Sequence, residues 1–274
     1  MKDNYTDSLK EAANAIHEAD HVLISAGAGA SVDSGLPDYR GNEGFWTAYP
    51  ALKAQNITYR EISSCDEFIN NPRRAWGFYG HCLDLYQKSK PHDGYTILKN
   101  ILDSKKGKGF VYTSNVDGFF ERAGFNPNQI IEIHGSIHHL QCSVKCTNEV
   151  WHVNSLNVQV DPKSFLATSG LPTCPHCGKI ARPNILFFNE GYWSGQRVYH
   201  QENNFQNWKR SLWGAKVVAI EVGAGGDIPF VRTESAKYDY HIRINPSEEE
   251  QTGKAIHIQD TGLSGLHALA EQLR

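Results

Sequence analysis

Six short apolar runs limit the fold more than any other feature of the chain: "HVLIS" at 21–25, "GFVYTS" at 109–114, "IIEIHG" at 130–135, "KVVAIEVG" at 216–223, "YHIRIN" at 240–245 and "AIHIQ" at 255–259. Their apolar positions are nearly continuous and rich in Val and Ile, the pattern of strands covered on both faces. Such strands need helices on either side. The expected fold class is therefore α/β, a Rossmann-like parallel sheet with helices on both faces. Leu9, Ala12, Ala13 and Ile16 recur at helical spacing and predict a first helix over 8–16 with Asp7 as its cap. The final "GLSGLHALAEQLR" predicts a closing amphipathic helix.

Two stretches interrupt this pattern. Residues 41–91 are aromatic-rich and include "AWGFYGHCLDLYQK", which predicts a helical insertion. Residues 137–182 are polar and irregular and hold two close cysteine pairs, Cys142/Cys146 and Cys174/Cys177, with 27 residues between the pairs. Four thiolates at that spacing predict a small zinc-binding module with one structural zinc per chain, closed to substrate. His176 lies inside the second pair and is an alternative ligand. The Rossmann-like domain is then expected over 1–40, 92–136 and 183–274.

The N-terminal "MKDNYTDSLKEAANAIHEAD" has no apolar core of an export signal, and no apolar run approaches the roughly 20 residues of a membrane span. A cytoplasmic location is expected, or a nuclear one in a eukaryote, with no membrane partner. The formal net charge of −3 offers no basic excess for direct nucleic-acid binding. No residue pattern specifies an oligomeric state.

The segment "ISAGAGASVDSGLPDYRG" at 24–41 directly follows the first apolar run. A strand followed by Gly27, Ala28, Gly29 and Ser31 fits a turn that brings backbone N–H groups and a helix N-terminus to a phosphate. The third glycine of the usual dinucleotide fingerprint would fall at Val32, so a plain strand-to-helix turn is the other reading. Pro37 disfavours helix at Leu36, and Asp38, Tyr39 and Arg40 add polar groups that a simple turn does not need. "TSNVDGFFERAG" at 113–124 ends the second run and sets Ser114, Asn115 and Asp117 where open parallel sheets place ligand groups; the same residues are also common turn formers. "IIEIHGS" ends the third run on His134, a structural histidine or one suited to proton transfer near neutral pH.

Taken in order, these motifs resemble the sirtuin family. The likeness runs from "GAGAS" and "GLPDYRG" through "TSNVDG", "IHGS", the cysteine pairs and "RPNILFFNE" to "RIN" at 243–245. Ser114 stands where most members have glutamine, Asn189 where they have glycine, and "GAGGDIP" at 223–229 replaces a glycine-threonine-serine loop of which Gly223 remains.

The resemblance implies NAD as cofactor, with Gly27, Ala28, Gly29, Ser31, Asp38, Tyr39, Arg40, Ser114, Asn115, Asp117, Gly223 and Asn245 around it. It implies His134 as the base that takes a proton from the cofactor ribose, with Asn115 beside it, and an acylated protein lysine as substrate. The activity implied is NAD-dependent protein-lysine deacylation, deacetylation in particular, releasing nicotinamide and O-acyl-ADP-ribose. Protein ADP-ribosyl transfer or NAD hydrolysis on the same fold is the alternative, and a non-catalytic NAD or ADP-ribose sensor the second. The segment after "RPNIL" is implied to pair with an extended substrate, a buried edge strand being the other reading. Desuccinylating members carry a tyrosine and an arginine three residues apart in the helical insertion. Here Tyr79 is followed by Cys82, so a neutral acyl group is expected.

Overall fold

The computed structural model describes residues 2–37, 41–105, 108–154, 156–188, 190–226, 229–247 and 254–274. The chain opens with α1 (Lys2–Glu18) and β1 (His21–Ala26), followed by a 3-10 segment, Ala28–Ser34. Five helices come next: α2 (Gly41–Ala48), α3 (Pro50–Ala54), α4 (Tyr59–Ile62), α5 (Cys65–Asn70) and α6 (Pro72–Lys88). Then come α7 (Asp93–Ser104), β2 (Gly109–Thr113), α8 (Phe119–Arg122), β3 (Ile130–Glu132), β4 (Gly135–Cys142), β5 (Trp151–His152) and β6 (Ala181–Ile185). The chain closes with α9 (Gln196–Arg210), β7 (Val217–Val222), α10 (Phe230–Ser235), β8 (Tyr240–Ile244), β9 (Ile256–Ile258) and α11 (Gly262–Gln272).

All six apolar runs form strands of one sheet, ordered β3-β2-β1-β7-β8-β9, and every pairing in it is parallel. Alternate side chains of one strand serve opposite faces. Val22 and Ile24 join the core shared with α1, α7 and α11, while Leu23 joins Phe110, Phe205 and Trp208 under α9. Both faces are therefore apolar, which is why the runs are nearly continuous instead of alternating.

The first helix departs from expectation. It begins at Lys2, so Asp7 lies inside it instead of capping it. Tertiary anchoring explains the longer helix: Tyr5 in its first turns donates to Asp260 Oδ2 at 2.8 Å, just ahead of α11.

A second sheet, antiparallel and ordered β5-β4-β6, spans 135–185. The helical segment packs on it through α6. Trp76 Nε1 donates to Ala181 O at 2.8 Å, Arg73 donates to Ala167 O at 2.7 Å, and a Cβ on Gly77 would meet Phe165 O at 1.8 Å. The sheet order turns about β1: β2 lies on one side of it and β7 on the other. Open parallel sheets hold ligands at such a switch point, beyond the carboxyl ends of the strands. Two glycine-bearing loops meet there, one following β1 and one following β7.

Candidate active site

Gly27 and Gly29 are glycines for reasons of packing, since Gly27 has φ −110°. A Cβ at Gly27 would lie 2.7 Å from Ala224 Cα, and one at Gly29 would lie 2.8 Å from both Gly223 Cα and Gly223 O. Gly223 itself has φ +62°, a conformation open to glycine, and donates its N–H to Ile244 O. The loops after β1 and β7 thus touch backbone to backbone. The first continues as a 3-10 segment, not an α-helix, and ends on Gly35 in the left-handed conformation. Leu36 lies outside it, as Pro37 requires.

Beyond these loops is a cavity of about 780 Å³. Gly27, Ala28, Ser31, Ser114, Asn115, Asp117 and His134 all line it, so seven of the residues singled out from sequence meet at one surface. Gly29, Gly223 and Asn245 are not among the lining residues. Asn245 is buried, with Nδ2 donating to Ala224 O at 3.0 Å, and so it braces the loop that Ala224 and Gly225 present to the cavity. Asp38, Tyr39, Arg40 and Asn189 lie outside the described residues.

Ser31 is the hub of a buried polar network. It donates to Asp117 Oδ2 at 2.6 Å, bonds the Tyr95 hydroxyl at 2.8 Å and accepts from Asn115 Nδ2 at 3.2 Å. Asp117 also accepts from the Phe119 N–H at 2.9 Å. Burial nevertheless raises the Asp117 pKa above its usual range, against the pull of those donors. Thr113 Oγ1 donates to Ala26 O and accepts from the Asn115 N–H, tying the end of β2 to the end of β1. His138 bonds Asp117 O at 2.8 Å.

His134 is half-buried just past β3. Burial lowers its pKa below the ordinary 6.5, and a hydrogen bond to the Ser114 backbone opposes that shift. The ring therefore favours its neutral, proton-accepting form. Phe230 at the start of α10 meets it edge-on at 6.1 Å between centroids.

Local pattern missed several residues that line or support this surface. Tyr95 reaches Ser31 across 64 positions, and no short motif announces such a bond. Tyr59, Arg60, Ser63, Phe78 and Tyr86 line the end of the cavity nearest the helical segment, together with Tyr79 and Cys82. The helical spacing of Tyr79, Cys82 and Tyr86 was the one available signal, because steps of three and four place them on one face of α6. After β6, Phe188 lines the cavity and donates its N–H to Ser63 O at 3.0 Å in a parallel bridge, so one edge of that segment is already paired.

The four module cysteines converge. Their sulfurs all lie within 4.8 Å of one another, with Cys142–Cys177 at 3.7 Å and Cys146–Cys174 at 3.6 Å. Tetrahedral zinc with Zn–S of about 2.3 Å needs sulfurs about 3.8 Å apart, so the cluster fits the metal. Burial pushes the Cys142 thiol up, but hydrogen bonds from the Cys146 and Val144 backbone outweigh it and bring the thiol down to about 7, while hydrogen bonds to the other sulfurs push the Cys146 thiol up; the cluster shares protons that a bound metal would displace. His176 is turned away, its Nε2 lying 2.5 Å from Glu149 Oε2, which leaves the set at four cysteines.

A family model described as "Sir2 family" matches residues 27–207, well over half of the chain. An NAD-dependent protein deacylase of Aquifex aeolicus (strain VF5) is 27% identical over 263 residues, covering 93% of this chain and 95% of that protein. Another, from Pyrococcus abyssi (strain GE5 / Orsay), is 29% identical over 182 residues, 66% of each chain. Among solved structures, a Sir2 homolog–NAD complex aligns with a TM-score of 0.69 at 21% identity, covering 96% of this chain and 93% of that one. A Sir2 homologue mutant bound to ADP-ribose aligns at 0.72 with 22% identity, covering 96% of each. These two likenesses concern the fold.

Proposed function

The chain belongs to the Sir2 family, and on that premise we propose that it is an NAD-dependent protein-lysine deacylase, a deacetylase in its simplest reaction. The observation that carries this reading is a single cavity with a bare-backbone rim at Gly27, Ala28 and Gly225 and a polar wall of Ser114, Asn115, Asp117 and His134. Backbone without side chains admits phosphates closely; the polar wall suits a ribose and an amide.

When bound, NAD supplies an electrophilic ribose carbon whose leaving group is nicotinamide. Ser31, held by Tyr95, orients Asp117 and Asn115. These two side chains then present an amide and a carboxyl group at fixed positions. His134, neutral through burial, accepts a proton from a ribose hydroxyl, a general-base role commonly worth about 10² to 10⁴ in rate. Phe230 and Val231 on α10, with Phe187 and Phe188 after β6, give the cavity apolar walls that keep water from the reacting carbon. Cys142, Cys146, Cys174 and Cys177 would hold zinc outside this chemistry, because none of them lines the cavity and a closed four-thiolate set has no position for substrate. Thiols kept free for a metal, together with consumption of NAD, support a reducing compartment such as the cytoplasm.

The test is mass spectrometry of the purified chain incubated with NAD and an acetyl-lysine peptide. Loss of acetyl with formation of O-acetyl-ADP-ribose, abolished in His134→Ala, is expected. Nicotinamide release with the acetyl group intact would instead assign ADP-ribosyl transfer or NAD hydrolysis to the site, and NAD binding without release would assign a sensor.

A further inference from the structure

The end of the cavity nearest α6 is built from polar groups without charge. Tyr79, Cys82 and Tyr86 face it from one side of α6, and Tyr59 and Ser63 close it from α4 and the turn behind it. Most of these groups are already bonded. Tyr79 donates to Ser63 Oγ at 3.0 Å, Cys82 Sγ lies 3.6 Å from the Tyr49 hydroxyl, and Ser63 also bonds Tyr59. Tyr86 differs. Its residue is 8% exposed and it lines the cavity, yet among the described residues its hydroxyl has no hydrogen-bond partner.

A hydroxyl with an open bonding position on a cavity-lining residue discriminates between occupants. A purely aliphatic acyl chain filling this end would displace water from Tyr86 and return no hydrogen bond, leaving a buried polar group unsatisfied. A carboxylate there would meet three phenols and a thiol; Arg182, the cation near Tyr79, is already paired with Glu190 at 2.7 Å, and near Tyr86 lies the Asp117 carboxyl. Arg60 is the cation among the described lining residues; it is exposed at the rim, its guanidinium stacked 5.2 Å from the Phe188 ring. A neutral acyl group carrying its own hydroxyl satisfies Tyr86 and requires no counter-charge.

We propose that this chain prefers lysines bearing a hydroxylated, uncharged acyl group, and that the Tyr86 hydroxyl is the specificity-determining contact. This rests on the deacylase reading. Burial raises the pKa of Tyr59, Tyr79 and Tyr86, which keeps the phenols neutral and able to donate across the physiological range.

The experiment compares kcat/KM on one peptide sequence carrying acetyl-, butyryl-, 3-hydroxybutyryl-, lactyl- or succinyl-lysine, each with NAD, and reads the matching O-acyl-ADP-ribose. A hydroxyacyl peptide should exceed butyryl by about three- to tenfold, the worth of one neutral hydrogen bond. Tyr86→Phe keeps the ring and removes only the oxygen; it should erase that preference by raising butyryl turnover towards the hydroxyacyl rate, because no hydroxyl is then left unsatisfied. Tyr79→Phe, whose hydroxyl is already bonded to Ser63, should leave the preference in place. Equal rates on butyryl and both hydroxyacyl peptides, a preference that survives Tyr86→Phe, or succinyl as the best substrate would overturn the proposal while leaving deacylation standing. Release of no acyl group from any of the five would overturn the deacylase reading itself.

Discussion

At His134 the direction of the pKa shift fixes the direction of a pH dependence. Burial holds the ring below 6.5, and a general base works in its neutral form, so the working form predominates at pH 7 and persists somewhat below 6.5. Deacylation measured as kcat/KM should be level from neutral pH down past 6.5 and fall only in more acidic buffer. An acid limb centred above 6.5 would contradict this assignment. Gly29 makes a different prediction, because its neighbour is backbone and cannot move aside as a flexible side chain can. Gly29→Ala places a Cβ 2.8 Å from Gly223 Cα and should cost about 1–3 kcal/mol, read as a lower Tm, along with weaker NAD binding by calorimetry. Gly225→Ala lies in the facing loop, where a Cβ meets nothing within 4 Å among the described residues, and should leave Tm within a degree or two. Equal losses in the two variants would contradict the backbone contact.

The elements differ in how they are held, and the cysteine module shows this most clearly. β5 has two residues, and of the four sulfurs within 4.8 Å of one another two belong to buried cysteines, Cys142 and Cys174, and two to exposed ones, Cys146 and Cys177, so a metal there would tie the module's surface to its interior. Cys174→Ser should reduce zinc from one per chain to well below that by elemental analysis and lower Tm by several degrees, since structural zinc contributes directly to folding. Retention of a full zinc equivalent would show that another group, with His176 the nearest in sequence, completes the set.

The sheet could be read from sequence because each strand is apolar on both faces, an unbroken signal that needs no partner to interpret. The second sheet could not. "GSIHHLQC" mixes histidines with apolar residues, and its pairing with 181–185 depends on a chain reversal some forty residues long. Nor could α9, where "QRVYHQENNFQNWKR" buries only Val198, Gln201, Phe205 and Trp208 and is otherwise polar. Of the site, Gly27, Ser31, Asn115, Asp117 and His134 were legible because each follows a strand end, where parallel sheets gather ligand groups. Tyr95 was not, because its bond to Ser31 is made entirely by helix packing, and Tyr86 was legible only through its helical spacing with Tyr79 and Cys82.

Across the whole molecule, α6 joins the module to the cavity. One face carries Tyr79, Cys82 and Tyr86 to the cavity, while Arg73, Trp76 and Gly77 lie against the 165–181 stretch that leads into the cysteine module. The rim at Gly27, Ala28 and Gly225 depends instead on the parallel sheet, through β1 and β7. The two ends of one cavity therefore rest on different supports. Removing zinc with a chelator should loosen the 165–181 stretch and shift α6, raising KM for an acyl-lysine peptide by about tenfold or more, since small displacements of positioning groups are costly. NAD affinity measured by calorimetry on the same sample should change less than about twofold, and restoring zinc should recover the peptide KM. A parallel loss of NAD and peptide affinity would mean that the chelated protein had unfolded as a whole. Unchanged KM with zinc removed would mean that α6 holds its place by its own packing on the parallel-sheet core, through Leu83 and Tyr86.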